Sequence, residues 1–229
     1  MPTEIPRTLQ VLWGLEKGRT RGPQPTLSLD RIVAVAIEIA DQDGLAALSM
    51  ARLAERLGSR PMSLYRHVAS KDELLVVMQD AAPGEPPELP PGWRAGLGVW
   101  ARALRAVYYR HPWILQASAG RPPLEPGQLV WLDRALSVFD GTALTSGERL
   151  RAVMSTLYLV RGEAQVSAVP PDVSESYPEL VAELVTADRF PALAAVIADG
   201  MFTPDHADVI DFGLERLFDG IEVLLSTKR

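Results

Sequence analysis

A cationic segment in an acidic chain is the first feature with a chemical consequence. The window from Ser49 to Lys71 carries four arginines and one lysine against one glutamate, whereas the whole chain of 229 residues has a net charge of −6. Residues 1–82 are balanced in charge, so the acidity lies in residues 83–229. Clustered arginine and lysine side chains are typical of surfaces that bind phosphate groups. On charge alone, a solvated helix face explains the window equally well.

Residues that support catalysis or metal binding are scarce. The sequence has no cysteine, which excludes disulfides, thiolate metal ligands and thiol nucleophiles. Its three histidines, His67, His111 and His206, are far apart, and none has a second metal ligand at helical spacing. No HExxH, GxSxG or P-loop motif occurs, and the Gly-Leu-Gly at 96–98 follows no strand. We therefore expect a protein that is not an enzyme and needs no metal or cofactor.

The remaining titratable groups receive structural interpretations. His111 and His206 are expected at helix ends, whereas His67 lies within the cationic window and is expected to neighbour a phosphate. Asp41 and Asp43 flank the end of a predicted helix. Both carboxylates are therefore expected to be solvated.

The elements that position these groups are all predicted to be helices. Apolar residues recur at three- and four-residue spacing, and no segment shows the alternation of a strand. Five prolines between residues 82 and 92 interrupt the helices and are typical of a stiff connector. The sequence thus predicts an all-α fold with one domain at 28–82 and a larger one at 92–229. Residues 83–91 join them, and residues 1–27 form a flexible basic arm.

Four short helices are predicted before the prolines, beginning after Ser28, after Ser49, at Pro61 and after Ser70. A turn of about three residues with a glycine joins the second helix to the third, which is the helix-turn-helix pattern. The side chains expected to form the core are Ile32, Val33, Ala36, Ile37, Ala40, Leu53, Ala54, Leu57, Leu64, Val68, Leu74, Leu75 and Met78. The opposite face of residues 60–67 is then left for the major groove of DNA.

The face left open by this packing carries groups suited to base edges and phosphates. Arginine donates two hydrogen bonds to guanine, serine bonds either purine, and methionine contacts the thymine methyl group. Lys71 begins the next helix, where its ammonium group and the helix N-terminal amides suit a phosphate. The residues expected to contact DNA here are Arg60, Met62, Ser63, Tyr65, Arg66, His67 and Lys71.

The N-terminal region resembles the DNA-binding domain of the TetR family of transcriptional repressors. The resemblance spans about fifty residues and rests on Ala47-Leu48-Ser49, Leu57-Gly58, Ser63-Leu64-Tyr65 and Lys71-x-x-Leu74. It implies that residues 60–67 are the recognition helix, and that Ser49 and Met50 begin a helix against the DNA phosphates. Ala51 stands where relatives commonly carry a basic residue, and the adjacent Arg52 is the candidate to replace it.

A second resemblance, to the tetracycline-repressor type of ligand-binding domain, covers most of the remainder. It rests on Arg110-His111-Pro112-Trp113, Gly120-Arg121-Pro122, Phe212-Gly213-Leu214 and Asp219-Gly220-Ile221. The resemblance implies a helical domain that binds a small-molecule effector and forms a homodimer. Tetracycline itself is not implied, because His111 lies a few residues away from the position of the family's ligand histidine.

Seven helices are expected after the connector, at about 92–110, 112–119, 124–140, 146–168, 176–187, 190–199 and 204–226. Thr145 with Glu148 forms a capping box, and Thr203-Pro204-Asp205 is a helix start. The last helix carries an apolar seam of Ile210, Leu214, Leu217, Ile221 and Leu224. Two of its glycines, Gly213 and Gly220, suit close approach of helices. Together with 146–168, this helix is expected to form a four-helix dimer bundle, the alternative being a core helix within one chain.

Aromatic residues are frequent in the helices that follow the connector. Indole and phenol rings with polar tips suit a pocket for a small apolar or aromatic effector, although most of them are expected to be core. The residues predicted to contact the effector are Trp100, Tyr108, Trp113, Gln116, Trp131, Met154, Tyr158 and Arg161.

The N-terminal arm contains a basic segment with glycine and proline, residues 17–23. Such arms enter the minor groove beside a recognition helix, and Arg19 and Arg21 are the residues expected to do so. A tail without a DNA contact is the alternative. No secretory apolar segment follows the N-terminus, and the longest apolar stretches are half of the roughly 20 residues that span a bilayer. We therefore expect a cytoplasmic protein without a membrane partner.

These observations predict a homodimeric repressor that binds a palindromic double-stranded DNA operator and is released by a small effector. The alternative is a helical protein that binds a small molecule or a partner without sequence-specific DNA function. The two differ in DNA affinity, because a cationic operator complex weakens steeply as salt concentration rises.

Overall fold

The computed structural model describes residues 5–15, 27–117, 123–167, 171–200 and 209–228 of the chain. All regular elements in these ranges are helical, which confirms the all-α prediction. A 3₁₀ turn at Leu45–Ala47 accompanies the α-helices α1 (Arg7–Leu12), α2 (Leu29–Asp43), α3 (Met50–Arg56), α4 (Pro61–Leu64), α5 (Lys71–Ala81), α6 (Trp93–Arg110), α7 (Trp113–Ala117), α8 (Pro126–Ser137), α9 (Ser146–Ser167), α10 (Pro171–Leu184), α11 (Pro191–Ala198) and α12 (Val209–Ser226). No helix in the described ranges is long and apolar enough to cross a membrane.

The predicted helix starts in the first 82 residues are confirmed by their caps. The hydroxyl oxygens of Ser28, Ser49 and Ser70 accept the backbone N–H three residues on, at 3.1–3.2 Å. These bonds satisfy amides that a helix start would otherwise leave without a partner. Pro61 begins α4, where its missing N–H costs nothing. Local side-chain chemistry therefore sets where each helix begins.

The core of the DNA-binding region follows the predicted stripes with small shifts. α2 packs against α3 and α5, and Ile32, Leu53, Leu64, Leu74 and Met78 have no exposed surface. Three of the expected core residues are only half-buried, namely Ile37, Leu57 and Leu75. On α2, Ile39 is buried in place of the predicted Ile37. Ile39 lies seven residues after Ile32 and hence on the same side of the helix.

The recognition helix is shorter than the expected 60–67. Regular α-helix covers Pro61–Leu64, and turns continue to His67. The N–H groups of His67 and Val68 both donate to the carbonyl of Leu64, at 2.8 and 3.1 Å. The first of these bonds is of the tighter 3₁₀ type, so it ends the helix one turn early.

Part of the segment predicted as a flexible arm is helical. α1 buries Leu9, and the Thr8 hydroxyl donates to Glu73 Oε1 on α5 at 3.0 Å. One turn later, the Trp13 indole N–H donates to the carbonyl of Leu124 at 3.0 Å. The arm prediction is therefore wrong for these residues, because partners distant in sequence hold a helix of only six residues. Arg19 and Arg21 lie outside the described residues.

The chain forms two compact units, residues 1–153 and 154–229. The proline-rich connector lies inside the first, where its Gly84 carbonyl accepts the Trp131 indole N–H at 2.8 Å. The Trp131 carbonyl in turn accepts the Trp100 indole N–H at 2.9 Å. The connector is thus bonded to α8, and α8 to α6. The predicted domain boundaries at 28, 83 and 92 stay a prediction.

The second unit contains most of α9 together with α10–α12. The buried face of α12 consists of Ile210, Leu214, Phe218, Ile221 and Leu225. Two residues of the predicted seam are not buried within the single chain, since Leu217 is half-buried and Leu224 is exposed, and their place in a dimer bundle stays a prediction. The observed residues are four, four, three and four apart, which keeps them on one side of a straight helix. The predicted helix start at 203–205 lies outside the described residues, whereas the Thr145–Glu148 capping box in the first unit is confirmed.

Candidate DNA interface and effector site

The turn between α3 and α4 fixes the candidate recognition helix. Gly58 has a φ of +61°, a backbone conformation that other residues rarely adopt. The N–H groups of Gly58 and Ser59 bond back to the last turn of α3 at 3.0 and 2.9 Å. Beyond the turn, Leu64 and Val68 are buried and hold α4 across the core. The orientation of the outer face of residues 60–67 follows from these contacts.

The structure places the predicted DNA-contacting side chains of this segment at the surface. Ser63 and His67 are half-buried, and the others are exposed, namely Arg60, Met62, Tyr65, Arg66 and Lys71. Two of them are large and apolar, because Met62 is 75% exposed and Tyr65 is 45% exposed. Apolar side chains next to arginines on an open face suit the mixed surface of DNA bases. Their contact with DNA stays a prediction.

At the start of α3, one predicted phosphate contact, Arg52, is also bonded within the protein. Ser49 Oγ accepts the Arg52 N–H as a cap, which leaves its hydroxyl hydrogen able to donate to a phosphate, and Met50 is half-buried. The Arg52 guanidinium lies 2.7 Å from Asp43 Oδ2 at the end of α2. Asp43 is therefore ion-paired, not merely solvated as expected. Whether Arg52 replaces the basic residue missing at Ala51 stays a prediction.

The predicted effector residues on α6–α8 are largely core. Trp100, Tyr108, Trp113 and Trp131 are all at least 93% buried, whereas Gln116 is exposed. The three indole N–H groups donate to protein oxygens at 2.7–2.9 Å. The rings of Trp100 and Trp131 lie 6.4 Å apart. Only the ring surfaces of these tryptophans remain to contact an effector, since their polar atoms already have partners.

The predicted effector residues on α9 share one face of that helix. Met154, Tyr158 and Arg161 are four and three residues apart. Tyr158 is 62% exposed, and the other two are half-buried. Their role in effector binding stays a prediction.

One polar cluster was not foreseen from the sequence. Asp41 Oδ1 lies 2.8 Å from His111 Nδ1 and 2.7 Å from the Trp113 indole nitrogen. Asp41 remains accessible to solvent as expected, with 26% of its side chain exposed, but two donors about 70 residues away along the chain also bind it. An aspartate in the last turn of a predicted helix and a His-Pro-Trp corner were the available signals. Nothing local in the sequence pairs them.

Comparison with known proteins decides the family. A family model described as "Bacterial regulatory proteins, tetR family" matches residues 32–78, and one described as "Tetracyclin repressor-like, C-terminal domain" matches residues 86–225. The chain belongs to the tetR family of bacterial regulatory proteins. It is accordingly a DNA-binding transcriptional regulator and not an enzyme. The resemblance identified from the sequence motifs is confirmed.

Similar proteins agree with this assignment. The chain is 37% identical to the HTH-type transcriptional repressor DrrR1 of Streptomyces coeruleorubidus, over 99% of this chain and 88% of that protein. ActR of Streptomyces coelicolor, solved in complex with actinorhodin, is 29% identical with a TM-score of 0.75, over 87% of this chain and 98% of that chain. Apo ActR gives a TM-score of 0.73 at 28% identity, over 86% and 96% of the two chains.

Proposed function

We propose that the protein represses transcription by binding a palindromic operator as a homodimer, and that a small apolar or aromatic effector releases it. The observation that carries the proposal is the exposed face of residues 60–67, where Arg60, Met62, Tyr65 and Arg66 lie at the surface of a segment held by buried Leu64. Because the target is DNA, its proposed site of action is the cytoplasm.

The proposed DNA contacts divide into two kinds. Arg60, Met62, Ser63, Tyr65 and Arg66 are assigned to base edges in the major groove, where side chains distinguish all four base pairs. The residues assigned to phosphates are Ser49, Met50 and Arg52 at the start of α3, Lys71 at the start of α5, and His67 in the turns after α4. Arg19 and Arg21 are proposed to enter the adjacent minor groove.

The homodimer is proposed to form through α9 and α12. Both helices carry large apolar side chains in contact with solvent in the single chain, including Tyr158, Val166, Phe212 and Val223, each more than 60% exposed. Surfaces of this kind are typical of interfaces. A two-fold dimer reads two half-sites whose centres are about 34–36 Å apart or a multiple of that distance.

The effector is proposed to be a small molecule with an extended aromatic surface. ActR, solved in complex with actinorhodin, shares this fold at 29% identity. Since the indole N–H groups of Trp100, Trp113 and Trp131 are bonded within the protein, we expect ring stacking from them rather than polar contacts. An effector that binds the released conformation more tightly shifts the population towards it.

The test is selection of genomic fragments with the purified protein, followed by footprinting at two salt concentrations. Protection of two symmetric half-sites, weakening steeply as salt rises, is the expected result. Addition of actinorhodin as the probe should then weaken protection at constant salt. Absence of any sequence-selective protection would contradict the proposal and favour a small-molecule-binding protein without operator function.

A further inference from the structure

The last turn of α2 is bonded to the corner between α6 and α7. Asp41 Oδ1 accepts hydrogen bonds from His111 Nδ1 at 2.8 Å and from Trp113 Nε1 at 2.7 Å. Both donors converge on one oxygen of a carboxylate, and such charge-assisted bonds are stronger than those between neutral groups. We call this group of three residues the Asp41 joint.

The donor side of the Asp41 joint is rigid. His111 is 7% exposed and Trp113 is 2% exposed, and their rings lie edge to face with centroids 6.2 Å apart. The backbone closes the corner between them, because the Ile114 N–H donates to the His111 carbonyl at 3.0 Å. Two donors fixed in this way dictate where the Asp41 carboxylate must lie.

The same end of α2 is bonded to the helix-turn-helix on its other side. Asp43 lies 2.7 Å from the Arg52 guanidinium, and Glu38 lies 3.8 Å from that of Arg56. Both arginines are on α3, which packs against α4. The end of α2 therefore joins two parts of the fold. Two of its carboxylates contact α3, and a third contacts the α6–α7 corner.

We propose that Asp41, His111 and Trp113 are positioning residues for operator binding. They fix the angle of α2, and with it the recognition segment, relative to α6 and α7. None of the three belongs to the cationic surface from Ser49 to Lys71. Loss of the Asp41 joint should thus weaken operator binding while leaving salt-dependent binding to random DNA unchanged. The inference rests on the proposed operator function.

Distance measurement between spin labels tests the positioning role directly. The chain has no cysteine, so Ala34→Cys on α2 and Ala106→Cys on α6, both at exposed positions, provide the sole labelling sites. Labelled protein diluted into excess unlabelled protein reports distances within one chain. The test variants are Asp41→Ala, which removes the acceptor, and Trp113→Phe, which removes one donor and retains an aromatic ring. Asp133→Ala, an exposed carboxylate on α8, is the control.

The expected result is a narrow distance distribution in the parent and in Asp133→Ala, and a broad one in Asp41→Ala and Trp113→Phe. Both test variants should lose operator affinity by about tenfold, with unchanged affinity for random DNA. The double variant should lose little more affinity than the single variant with the larger loss, since both changes break the same joint. Asp41→Asn, which restores an acceptor oxygen, should recover part of the loss. Should Asp41→Ala fail to fold, Trp113→Phe carries the same comparison.

Two outcomes would overturn the inference. The first is an unchanged distance distribution in the folded test variants, and the second is a broadened distribution without loss of operator affinity. Failure of the proposed function gives a different result, because the parent protein itself would then select no operator. The label distances would still decide whether the Asp41 joint fixes α2 against α6.

Discussion

The backbone N–H of Gly127 lies 2.6 Å from Asp80 Oδ1, so the last turn of α5 caps the start of α8. Pro126, the first residue of α8, has no N–H, which makes Gly127 the first donor of that helix. A Cβ atom at Gly127 would lie 2.6 Å from the Asp80 carbonyl oxygen and 2.7 Å from Oδ1. The two helices approach this closely because residue 127 has no side chain.

Gly127→Ala is therefore expected to destabilise the protein. Alanine favours a helix over glycine by about 1 kcal/mol, but the clash with backbone oxygen requires α8 to move. Overpacking of this kind costs about 1–3 kcal/mol, so a net loss is expected in the free energy of unfolding measured with urea. Gly147→Ala is the matched control, since Gly147 is also the second residue of a helix and its nearest neighbour is the Arg151 side chain at 3.5 Å. Equal stability of the two variants would contradict the prediction.

The Asp80 carboxylate makes stability depend on pH. Burial, helped by the nearby charge of Glu125, raises the pKa of Asp80 above its ordinary value of 3.8, although the N–H groups of Gly127 and Gln128 oppose the shift. The folded state thus holds this proton to higher pH than the unfolded chain does. The contribution of Asp80 to stability is complete below pH 3.8 and is lost as pH rises through the raised pKa.

Asp80→Asn is expected to remove this dependence, because an amide oxygen can still accept the Gly127 N–H but does not titrate. Its stability relative to the parent should rise as pH increases from 3.8 through the raised pKa of Asp80, measured by urea unfolding. The exposed Asp133→Asn on α8 is the control, and its difference from the parent should change less over the same range. Parallel pH dependences of the free energy of unfolding for Asp80→Asn and the parent would contradict the prediction that the Asp80 carboxylate makes stability depend on pH.

Arg66→Ala tests whether the recognition segment reads bases. Loss of a bidentate contact to guanine is expected to cost about 1–3 kcal/mol on the selected operator and less on random DNA, measured by titration at fixed salt. Arg134→Ala, which removes an exposed arginine from α8, should change neither affinity. An equal loss on operator and random DNA would make Arg66 a phosphate contact.

Helix positions and helix-turn-helix geometry could be predicted from the sequence because their causes are local. A serine cap and apolar side chains every three or four residues lie within one turn of what they specify, as at Ser28 and Ile32. The same locality places Arg66 on the outer face once Leu64 is assigned to the core.

The contacts that join helices distant in sequence could not be predicted in this way. α1 has six residues, too few to be stable alone, and it depends on the bond from Thr8 to Glu73. The bonding partners of Asp41 could not be predicted because His111 is 70 residues away. Gly127 gave no signal either, since a glycine after a proline is typical of a turn and its contact with Asp80 is set by the tertiary fold.

The two glycines of α12 are expected to respond differently to alanine. A Cβ atom at Gly213 would lie 3.1 Å from Leu159 Cδ2 on α9, so Gly213 serves helix packing within one chain. A Cβ atom at Gly220 would have no neighbour within 4 Å among the described residues outside its own helix. The prediction that these glycines allow close approach of helices is thus met at Gly213 by α9 of the same chain, and for Gly220 a partner helix of the proposed dimer stays a prediction.

Gly220→Ala is expected to weaken the proposed dimer while leaving the fold of the single chain intact. If a partner helix lies against this position, the added methyl group costs about 1–3 kcal/mol of association, which sedimentation equilibrium would register as a rise of about fivefold or more in the dissociation constant. Gly213→Ala should instead change the free energy of unfolding and not dimerisation, because its added Cβ atom meets the flexible end of Leu159 in the same chain. If Gly220→Ala left dimerisation unchanged and stabilised the chain by about 1 kcal/mol, Gly220 would face solvent and the dimer would use other residues of α12.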